Sequence, residues 1–389
     1  MIGNNVANVN SPGFKKSRAV SAEAYVTTVR AGAGSLGDRG GLNPAQIGLG
    51  TGTAAIDQIM TQGSIERTGI RTDLAIEGDG MFMLNDGDAT YYTRAGNFIL
   101  DASGRLVHGT SGLPVQGLLA DANGEIPETG QVQDMVLPPD LSLPGSATSE
   151  LIITGNLDSR MEPGDVASFQ SVVYDSLGRE HPIDFVFTNN GPNSWDWEAT
   201  DVDGNVVGNG TATFNPDGSV DAFTGGVALN PPGADPIVAD LLADGADTYG
   251  GLTQYGSSSS AYAVVGDGNS FGTLEEISFD RFGTMIATFS NGENRELGRI
   301  GLARFPNAEG LLSGGDGLFT EGPNSGGRIL EFPGLSGASL IVPEALEASN
   351  VDIGEEFVEM IVTQRGFQAN ARMITTADEI TQELVNLRR

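Results

Sequence analysis

The sequence predicts a mainly β, multidomain protein with terminal α-helices, and three observations support this prediction. The 389 residues include 56 glycines and 18 prolines while only 18% are charged, a composition typical of turn-rich β structure. Short apolar runs alternate with Asp-Gly, Asn-Gly and Ser-Gly turns from residue 64 onward. Residues 352–389 contain no proline and carry apolar side chains at helical spacing. We therefore expect a β-rich host domain with an inserted β domain and a long C-terminal helix of the coiled-coil type.

The domain boundaries follow from where the pattern changes. A pattern of strands and turns covers residues 64–143. It ends in a proline-rich segment at 137–146, and a second β block begins after that segment. A similar strand–turn–strand pattern returns before the Asn-Gly turn at 291–292. Because the first pattern returns, we expect the second block to be a domain inserted into a host made of two pieces. The predicted parts are a terminal helical segment (1–30 and 344–389), a discontinuous β-rich middle domain (31–146 and 269–343) and an inserted outer β domain (147–268).

Alternation in the second block predicts strands that each bury one face. Ile183, Phe185 and Phe187 alternate with residues of the other face, and Trp195 and Trp197 alternate with acidic residues. The stretch 208–268 contains many turn-forming residues, so we expect it to be rich in loops and to end in a linker near residues 266–270.

The C-terminal segment predicts one long helix. Asp352 followed three residues later by Glu355 is a capping-box-like start, in which carboxylates accept hydrogen bonds from free backbone N–H groups. The helix would extend for roughly 50 Å, far beyond the mean helix length. Its apolar seam consists of Phe357, Met360, Ile361, Phe367, Ala371, Ile374, Ile380, Leu384 and Leu387.

We expect the seam to need partners beyond the segments of this sequence. Ile2, Val6 and Val9 have helical spacing, but the sequence Asn-Ser-Pro-Gly at 10–13 ends that helix after about two turns. We expect these three residues to pack against the C-terminal seam and the rest of the seam to pack against neighbouring copies. The alternative is that the long helix packs on its own β domain.

Composition excludes several classes of function. The 51 acidic and 20 basic residues give a net charge of −31, so we expect no nucleic-acid partner. No apolar run approaches the roughly 20 residues of a membrane span, and no secretory signal is visible. The absence of cysteine excludes disulfides and a cysteine nucleophile. Within this acidic chain the basic cluster of Lys15, Lys16 and Arg18 is a candidate for register contacts with acidic surface on a neighbouring copy, although a solvated face is the default.

The sequence predicts no catalytic residue, no cofactor site and no metal site. His108 and His181 lack motif spacing to a catalytic partner, and we expect them to be structural. The segment "DVDGN" at 201–205 begins like a calcium loop, but Val206 replaces the required glycine and Ala212 the bidentate glutamate, so a hairpin turn is favoured. The alternatives of another class are a secreted β-rich, adhesin-like or calcium-dependent binding module and an extracellular hydrolase.

The two ends of the chain resemble one known family. "IGNNVANVNSPGFKKSR" at the start and "LEASNVDIGEEFVEMIVTQRGFQANARMITTADEITQELVNL" at the end are similar to the terminal motifs of bacterial flagellar rod and hook proteins. The segment "MIVTQRGFQANARMITTADE" and the inserted "SVVYDSLGREHPIDFVFTNN" and "WDWEATDVDGN" resemble hook rather than rod members, the rod subunit being the alternative within the family.

The resemblance implies a non-enzymatic structural subunit that forms a helical homopolymer. The expected assembly is the hook, a curved flexible tube outside the cell that transmits torque from the motor and rod to the filament. The implied partners are the chain itself, the distal rod protein, the hook cap protein, the hook–filament junction protein and the flagellar type III export apparatus. Family members carry further residues before the Asn-Asn motif, so the resemblance also predicts that the N-terminal helix is truncated here, by a misplaced start or in a genuinely short form.

Overall fold

Strands dominate the computed structural model, which describes residues 1–32, 34, 41–121, 124–127, 130–243, 251–334 and 339–387. The chain forms two compact units. The first unit comprises Met1–Pro139, Ile277–Ile286 and Glu296–Arg389, and the second comprises Asp140–Glu276 and Ala287–Arg295. The three-part division expected from the sequence stays a prediction. The mainly β fold with a long C-terminal helix, which the sequence also predicts, is confirmed.

The elements are numbered in chain order. The first unit begins with helix α1 (Ile2–Ala7) and continues with strands β1 (Ser17–Glu23), β2 (Val26–Arg30), β3 (Ala45–Gly48), β4 (Thr51–Gln58), β5 (Ile65–Arg67), β6 (Leu74–Glu77), β7 (Met81–Asn85), β8 (Thr90–Thr93), β9 (Phe98–Leu100), β10 (Leu106–His108), β11 (Gln116–Leu119) and β12 (Gln133–Asp134). The second unit contains β13 (Ser142–Leu143), β14 (Glu150–Asp158), β15 (Val166–Tyr174), β16 (Glu180–Gly191), β17 (Ser194–Thr200), β18 (Val206–Phe214), β19 (Val220–Phe223), β20 (Gly226–Leu229), β21 (Ile237–Leu242), β22 (Leu252–Tyr255) and β23 (Tyr262–Val265).

Three further strands contain residues of both units, and the first unit then ends in a long helix. These three strands are β24 (Gly272–Phe279), β25 (Thr284–Phe289) and β26 (Asn294–Ile300). The remaining elements are β27 (Leu302–Arg304), a 3-10 turn (Ala308–Gly310), β28 (Leu312–Gly315), β29 (Leu318–Thr320), β30 (Ile329–Glu331), β31 (Leu340–Pro343), β32 (Ala345–Glu347) and helix α2 (Ile353–Leu387).

The second unit is built on one large sheet. Its strand order is β15-β16-β17-β18-β20-β21-β14-β22, with β19 paired to β18 and β23 paired to β14. The predicted alternation is confirmed, because Ile183, Phe185 and Phe187 are fully buried and so are the two tryptophans of β17. The stretch 208–268, expected to be rich in loops, also contains most of β18 and the short strands β19–β23. The many turn-forming residues of this stretch made its strands hard to predict from the sequence. In β21, for example, buried and exposed residues alternate.

The first unit is centred on a second apolar core. Strands β28-β29-β8-β7-β27-β30 form one sheet, and β11 pairs with β12 and with β26 beside it. Phe82 and Phe98 meet edge to face with their ring centroids 4.9 Å apart, in a cluster with Leu74 and Ile76 of β6. Strand β6 also pairs with β31, and β5 pairs with β32. These pairings fix the segment that leads into α2.

Residues 17–30 differ from the sequence-based expectation. They were assigned to the terminal helical segment (1–30), but α1 ends at Ala7, and strands β1 and β2 follow it. Strand β1 pairs with β4, and β2 pairs with β3, as two antiparallel ribbons. The β-branched run Val26–Thr27–Thr28–Val29 explains the difference, because such residues favour strands over helices.

Candidate assembly interface

Helix α2 begins at a well-formed cap. The Asp352 Oδ1 atom accepts hydrogen bonds from the backbone N–H groups of Gly354 at 2.7 Å and Glu355 at 3.1 Å. Glu355 and Glu356 lie in the first turn, where the helix dipole favours negative charge. The Glu355 carboxylate does not complete a capping box; instead it accepts a hydrogen bond from Lys16 Nζ at 2.9 Å.

The seam of α2 is exposed along most of its length. Met360 is half-buried, whereas Phe367 is 76% exposed. Exposure of this kind is unusual for large apolar side chains that lie together on one element. The exposed seam residues are Phe357, Ile361, Phe367, Ala371, Ile374, Ile380 and Leu384. Leu387 ends the helix, and its side chain lies outside the described residues.

Helix α1 lies against the first turns of α2. The Asn5 Nδ2 atom donates to Glu356 Oε1 at 3.0 Å, and the same amide group exchanges two hydrogen bonds with the backbone of Ser17. Asn5 and Glu356 are both buried. Ile2, Val6 and Val9 are half-buried, and Ile2 lines the same cleft as Met360.

The three basic residues near the N-terminus do not form one solvated cluster. Lys15 is buried, and its Nζ atom donates to Glu347 Oε1 at 2.6 Å within the same chain, so it is not exposed to a neighbouring copy. Lys16 forms an ion pair with the Glu355 carboxylate. Arg18 is exposed, with its guanidinium 3.6 Å from the Asp57 carboxylate. The expected surface position of Lys15 was therefore wrong, because its own chain supplies the acidic partner.

Glu347 is the centre of a buried ionic network. Its Oε1 atom also accepts from the backbone N–H of Gly63 at 2.8 Å, and its Oε2 atom accepts from Arg94 at 3.3 Å. Burial lowers the pKa of Lys15 and of Arg94, and the negative charge of Glu347 opposes that shift in both. Because Glu347 ends β32, five residues before the cap of α2, the network anchors the base of the helix to the β core.

Asn350 completes this anchor on the other side. Its Oδ1 atom accepts from the backbone N–H of Lys16 at 2.8 Å, and its Nδ2 atom donates to the carbonyl oxygens of Ile59 at 2.8 Å and Thr61 at 3.1 Å. Sequence reasoning missed Asn5, Arg94, Glu347 and Asn350. Their partners lie far away in the chain, so spacing gave no signal, although three of the four fall inside the two terminal motifs.

The two histidines occupy separate structural positions. His181 Nε2 lies 3.1 Å from Asp175 Oδ2, in a turn where Arg179 also donates to that carboxylate at 2.7 Å. His108 is buried, and its Nδ1 atom lies 2.9 Å from Ser111 Oγ. Among the described residues no group of three or more His, Asp or Glu side chains could hold a metal ion. The segment at 201–205 forms the turn between β17 and β18, where Asp201 Oδ1 accepts from the N–H groups of Asp203 and Asn205.

His108 should make the stability of the first unit depend on pH. Burial lowers the pKa of His108 below its ordinary value of 6.5, and the charge of Asp316 opposes this only in part. The unfolded chain therefore binds more protons than the folded one below about pH 6.5, so stability is present above that pH and is lost as the pH falls. We expect wild type to lose more unfolding free energy from pH 7 to pH 5 than His108→Leu does. Urea unfolding at both pH values measures this, and equal losses in the two chains would contradict it.

None of the described helices is long and apolar enough to cross a membrane.

Comparisons with known proteins agree over the whole chain. Residues 75–153 match the model of the flagellar hook protein FlgE/F/G D1 domain, and residues 156–269 match that of the flagellar basal body protein FlaE D2 domain. Residues 342–387, which include all of α2, match the C-terminal model of the flagellar basal body rod FlgEFG proteins.

Several relatives of similar length are flagellar hook proteins. The flagellar hook protein FlgE of Borreliella burgdorferi is 36% identical, with 100% of this chain and 95% of that protein aligned. The FlgE of Escherichia coli strain K12 is 31% identical over 100% of this chain and 96% of its own. The crystal structure of the Helicobacter pylori flagellar hook protein FlgE2 has the same fold, with a TM-score of 0.53 at 15% identity, and covers 73% of this chain and 100% of its own. These matches favour neither a binding module nor a rod subunit, and they show that the chain belongs to the flagellar hook protein family, as a structural subunit of the bacterial flagellar hook.

Proposed function

We propose that α2 is the main surface through which copies of this chain polymerise into the hook tube. The observation that carries this proposal is the apolar seam, which stays exposed along α2 in a single copy. Burying apolar surface is the dominant favourable term in protein association. An exposed seam of this length needs neighbours, and copies of the same chain supply seams of matching length and chemistry.

The ribbons of the first unit provide a second surface for the same assembly. Tyr25 is 76% exposed, and Val29, Leu49 and Ile56 are also exposed on the strands and turns of the two ribbons. A two-stranded ribbon is marginally stable in water by itself and leaves both edges free to pair. We infer that contacts with adjacent copies order these ribbons in the tube.

We infer the flexibility of the tube from its two kinds of surface, an apolar layer of helices and acidic β units. The net charge of −31 makes the surfaces of neighbouring β units repel rather than adhere, so they slide while the apolar layer holds. Such a tube bends as it rotates, and this suits the transmission of torque from the motor and rod to the filament. The distal rod protein, the hook cap protein and the hook–filament junction protein are the proposed neighbours of the polymer, and the flagellar type III apparatus is the proposed exporter.

Electron microscopy of the purified chain tests the proposal. We expect curved tubes under conditions that favour assembly, and monomers from a chain that lacks residues 352–389. Monomers from the full chain at every protein and salt concentration tried would refute self-assembly through this chain alone. Tubes that persist without residues 352–389 would refute the role of α2.

A further inference from the structure

The longer part of the second unit, residues 140–276, begins and ends in two segments that run side by side. We call them the entering segment (142–148) and the leaving segment (269–273). Strand β13 of the entering segment pairs with the start of β24 in the leaving segment, but β13 contains only two residues. Further along, Ser146 and Asn269 exchange backbone hydrogen bonds of 3.1 and 3.2 Å. The direct pairing between the two segments is therefore short.

The turn between β15 and β16 touches both segments. Gly178 of this turn has a φ of +72°, in the region that favours glycine. A Cβ atom on Gly178 would lie 3.0 Å from the Cα atom of Gly145 in the entering segment and 2.8 Å from the backbone nitrogen of Phe271 in the leaving segment. A Cβ atom on Gly145 would in turn overlap the backbone of Gly178. Three stretches of backbone thus meet where two glycines leave room for them.

Asp175 fixes the conformation of this turn. Its side chain is fully buried, and the Oδ1 atom accepts from the backbone N–H groups of Leu177 at 2.9 Å and Arg179 at 3.0 Å. The Oδ2 atom accepts from Arg179 Nε at 2.7 Å and lies 3.1 Å from His181 Nε2. Burial raises the pKa of this carboxyl group, but the hydrogen bonds outweigh burial and hold the pKa below its ordinary value. The turn therefore keeps its charged centre at neutral pH.

The end of β15 adds two hydrogen bonds to the entering segment. The Thr148 N–H donates to the Tyr174 carbonyl oxygen, and the Tyr174 N–H donates to Thr148 Oγ1, both at 2.9 Å. Thr148 is 1% exposed, so both bonds are shielded from water. Strand β15 is thus joined to the entering segment at the residue before the turn.

A second turn of the same type lacks these contacts. In the turn between β17 and β18, Asp201 Oδ1 accepts from the N–H groups of Asp203 and Asn205, and Gly204 has a φ of +81°. A Cβ atom on Gly204 would lie in open space. The two turns share their internal hydrogen bonds, so the close approach of other segments at Gly178 is not a requirement of the turn itself.

We propose that the Asp175–His181 turn is a clasp that locks the entering and leaving segments together, so that both segments share the load on the second unit. A tube that transmits torque loads each part of its subunits through the segments that connect that part to the rest of the chain. The short pairing of β13 with β24 would open first under such a load, and the clasp holds the two segments just beyond it. All residues of the clasp belong to the second unit, so this inference stands or falls separately from the proposed role of α2.

Hydrogen exchange of the full chain, followed by mass spectrometry, tests the clasp. The variants are Gly178→Ala and Gly145→Ala. Gly204→Ala is the matched control, since it introduces the same backbone strain as Gly178→Ala without the close contacts. We expect the amides of the entering and leaving segments to exchange at least about tenfold faster in the two clasp variants than in the control, with little change in β16 and β17. Equal exchange in all three variants would overturn the inference.

A disulfide in place of the clasp distinguishes loosened segments from a lost fold. Because the chain has no cysteine, Ser146→Cys and Asn269→Cys introduce the only possible pair. The two positions face each other in an antiparallel bridge, where neighbouring Cα atoms lie within the reach of a disulfide. Added to Gly178→Ala, this disulfide should return the exchange of both segments to the wild-type rate. Exchange that stays fast with the disulfide formed would show that Gly178 does not act by holding the two segments, and would overturn the inference.

Single-molecule pulling measures the load itself. Asp140→Cys and Glu275→Cys, at two exposed positions, attach handles at the outer ends of the paired segments. We expect the force that separates the segments to be lower in Gly178→Ala than in Gly204→Ala. The same force in both would show that the clasp carries no load and would contradict the proposal.

Discussion

Replacing Glu347 by leucine is expected to destabilise the first unit by about 3 to 5 kcal/mol, the range seen when one member of a buried ion pair is removed. The change leaves Lys15 and Arg94 buried without their carboxylate and the N–H of Gly63 without its acceptor. Urea or thermal unfolding of the purified chain measures the loss. Because the network holds the segment that leads into α2, the base of the helix should also become protease-sensitive.

Glu355→Gln is the matched control for Glu347→Leu. It also removes an acidic partner of a lysine next to α2, but the Glu355 side chain is 66% exposed, and exposed ion pairs contribute at most about 1 kcal/mol. A loss for Glu347→Leu as small as that of the control would show that the buried network does not hold this region. Adding Lys15→Met and Arg94→Met to Glu347→Leu should recover part of the lost stability, since apolar residues then replace the whole network.

Replacing Phe367 by aspartate is expected to prevent tube formation without unfolding the monomer. Phe367 is 76% exposed in the single chain, so its loss removes little intrachain packing. In the tube the same position would bury a charged group in place of an aromatic ring, and this would repeat in every copy. We expect the critical concentration for assembly to rise at least about tenfold, since burial of the phenylalanine alone contributes about 1.5 to 3 kcal/mol and the buried charge adds to this cost. Sedimentation of assembled material measures it.

Phe367→Leu is the control, because it keeps an apolar side chain of helix-forming type at the same place. It should assemble at a concentration within several-fold of wild type. If Phe367→Asp forms tubes as readily as Phe367→Leu, the seam at this position lies outside the interface between copies.

Short-range patterns predicted the parts of the fold that depend on local chemistry. The alternation in β16 and β17 and the cap and proline-free length of α2 could be recognised because one element contains all the residues involved. The network around Glu347 could not be predicted in this way. Lys15 and Glu347 are 332 positions apart, and a buried lysine and an exposed one look the same in a sequence.

The ribbons of residues 17–58 and the strands between 206 and 265 show a second limit. In both, short strands are separated by glycine-rich turns, and their β-branched residues do not form one long pattern. Residues up to 30 were assigned to the terminal helical segment, although the run Val26–Thr27–Thr28–Val29 was a local signal for a strand.

The central claim is that α2 is exposed in a single copy and buried by neighbours in the tube. Hydrogen exchange of the backbone amides of residues 357–387, followed by mass spectrometry before and after assembly, tests it most directly. We expect these amides to exchange much more slowly in tubes than in monomers, while the core of the second unit, already protected, changes little. Assembled tubes in which α2 exchanges as fast as it does in the monomer would contradict the claim.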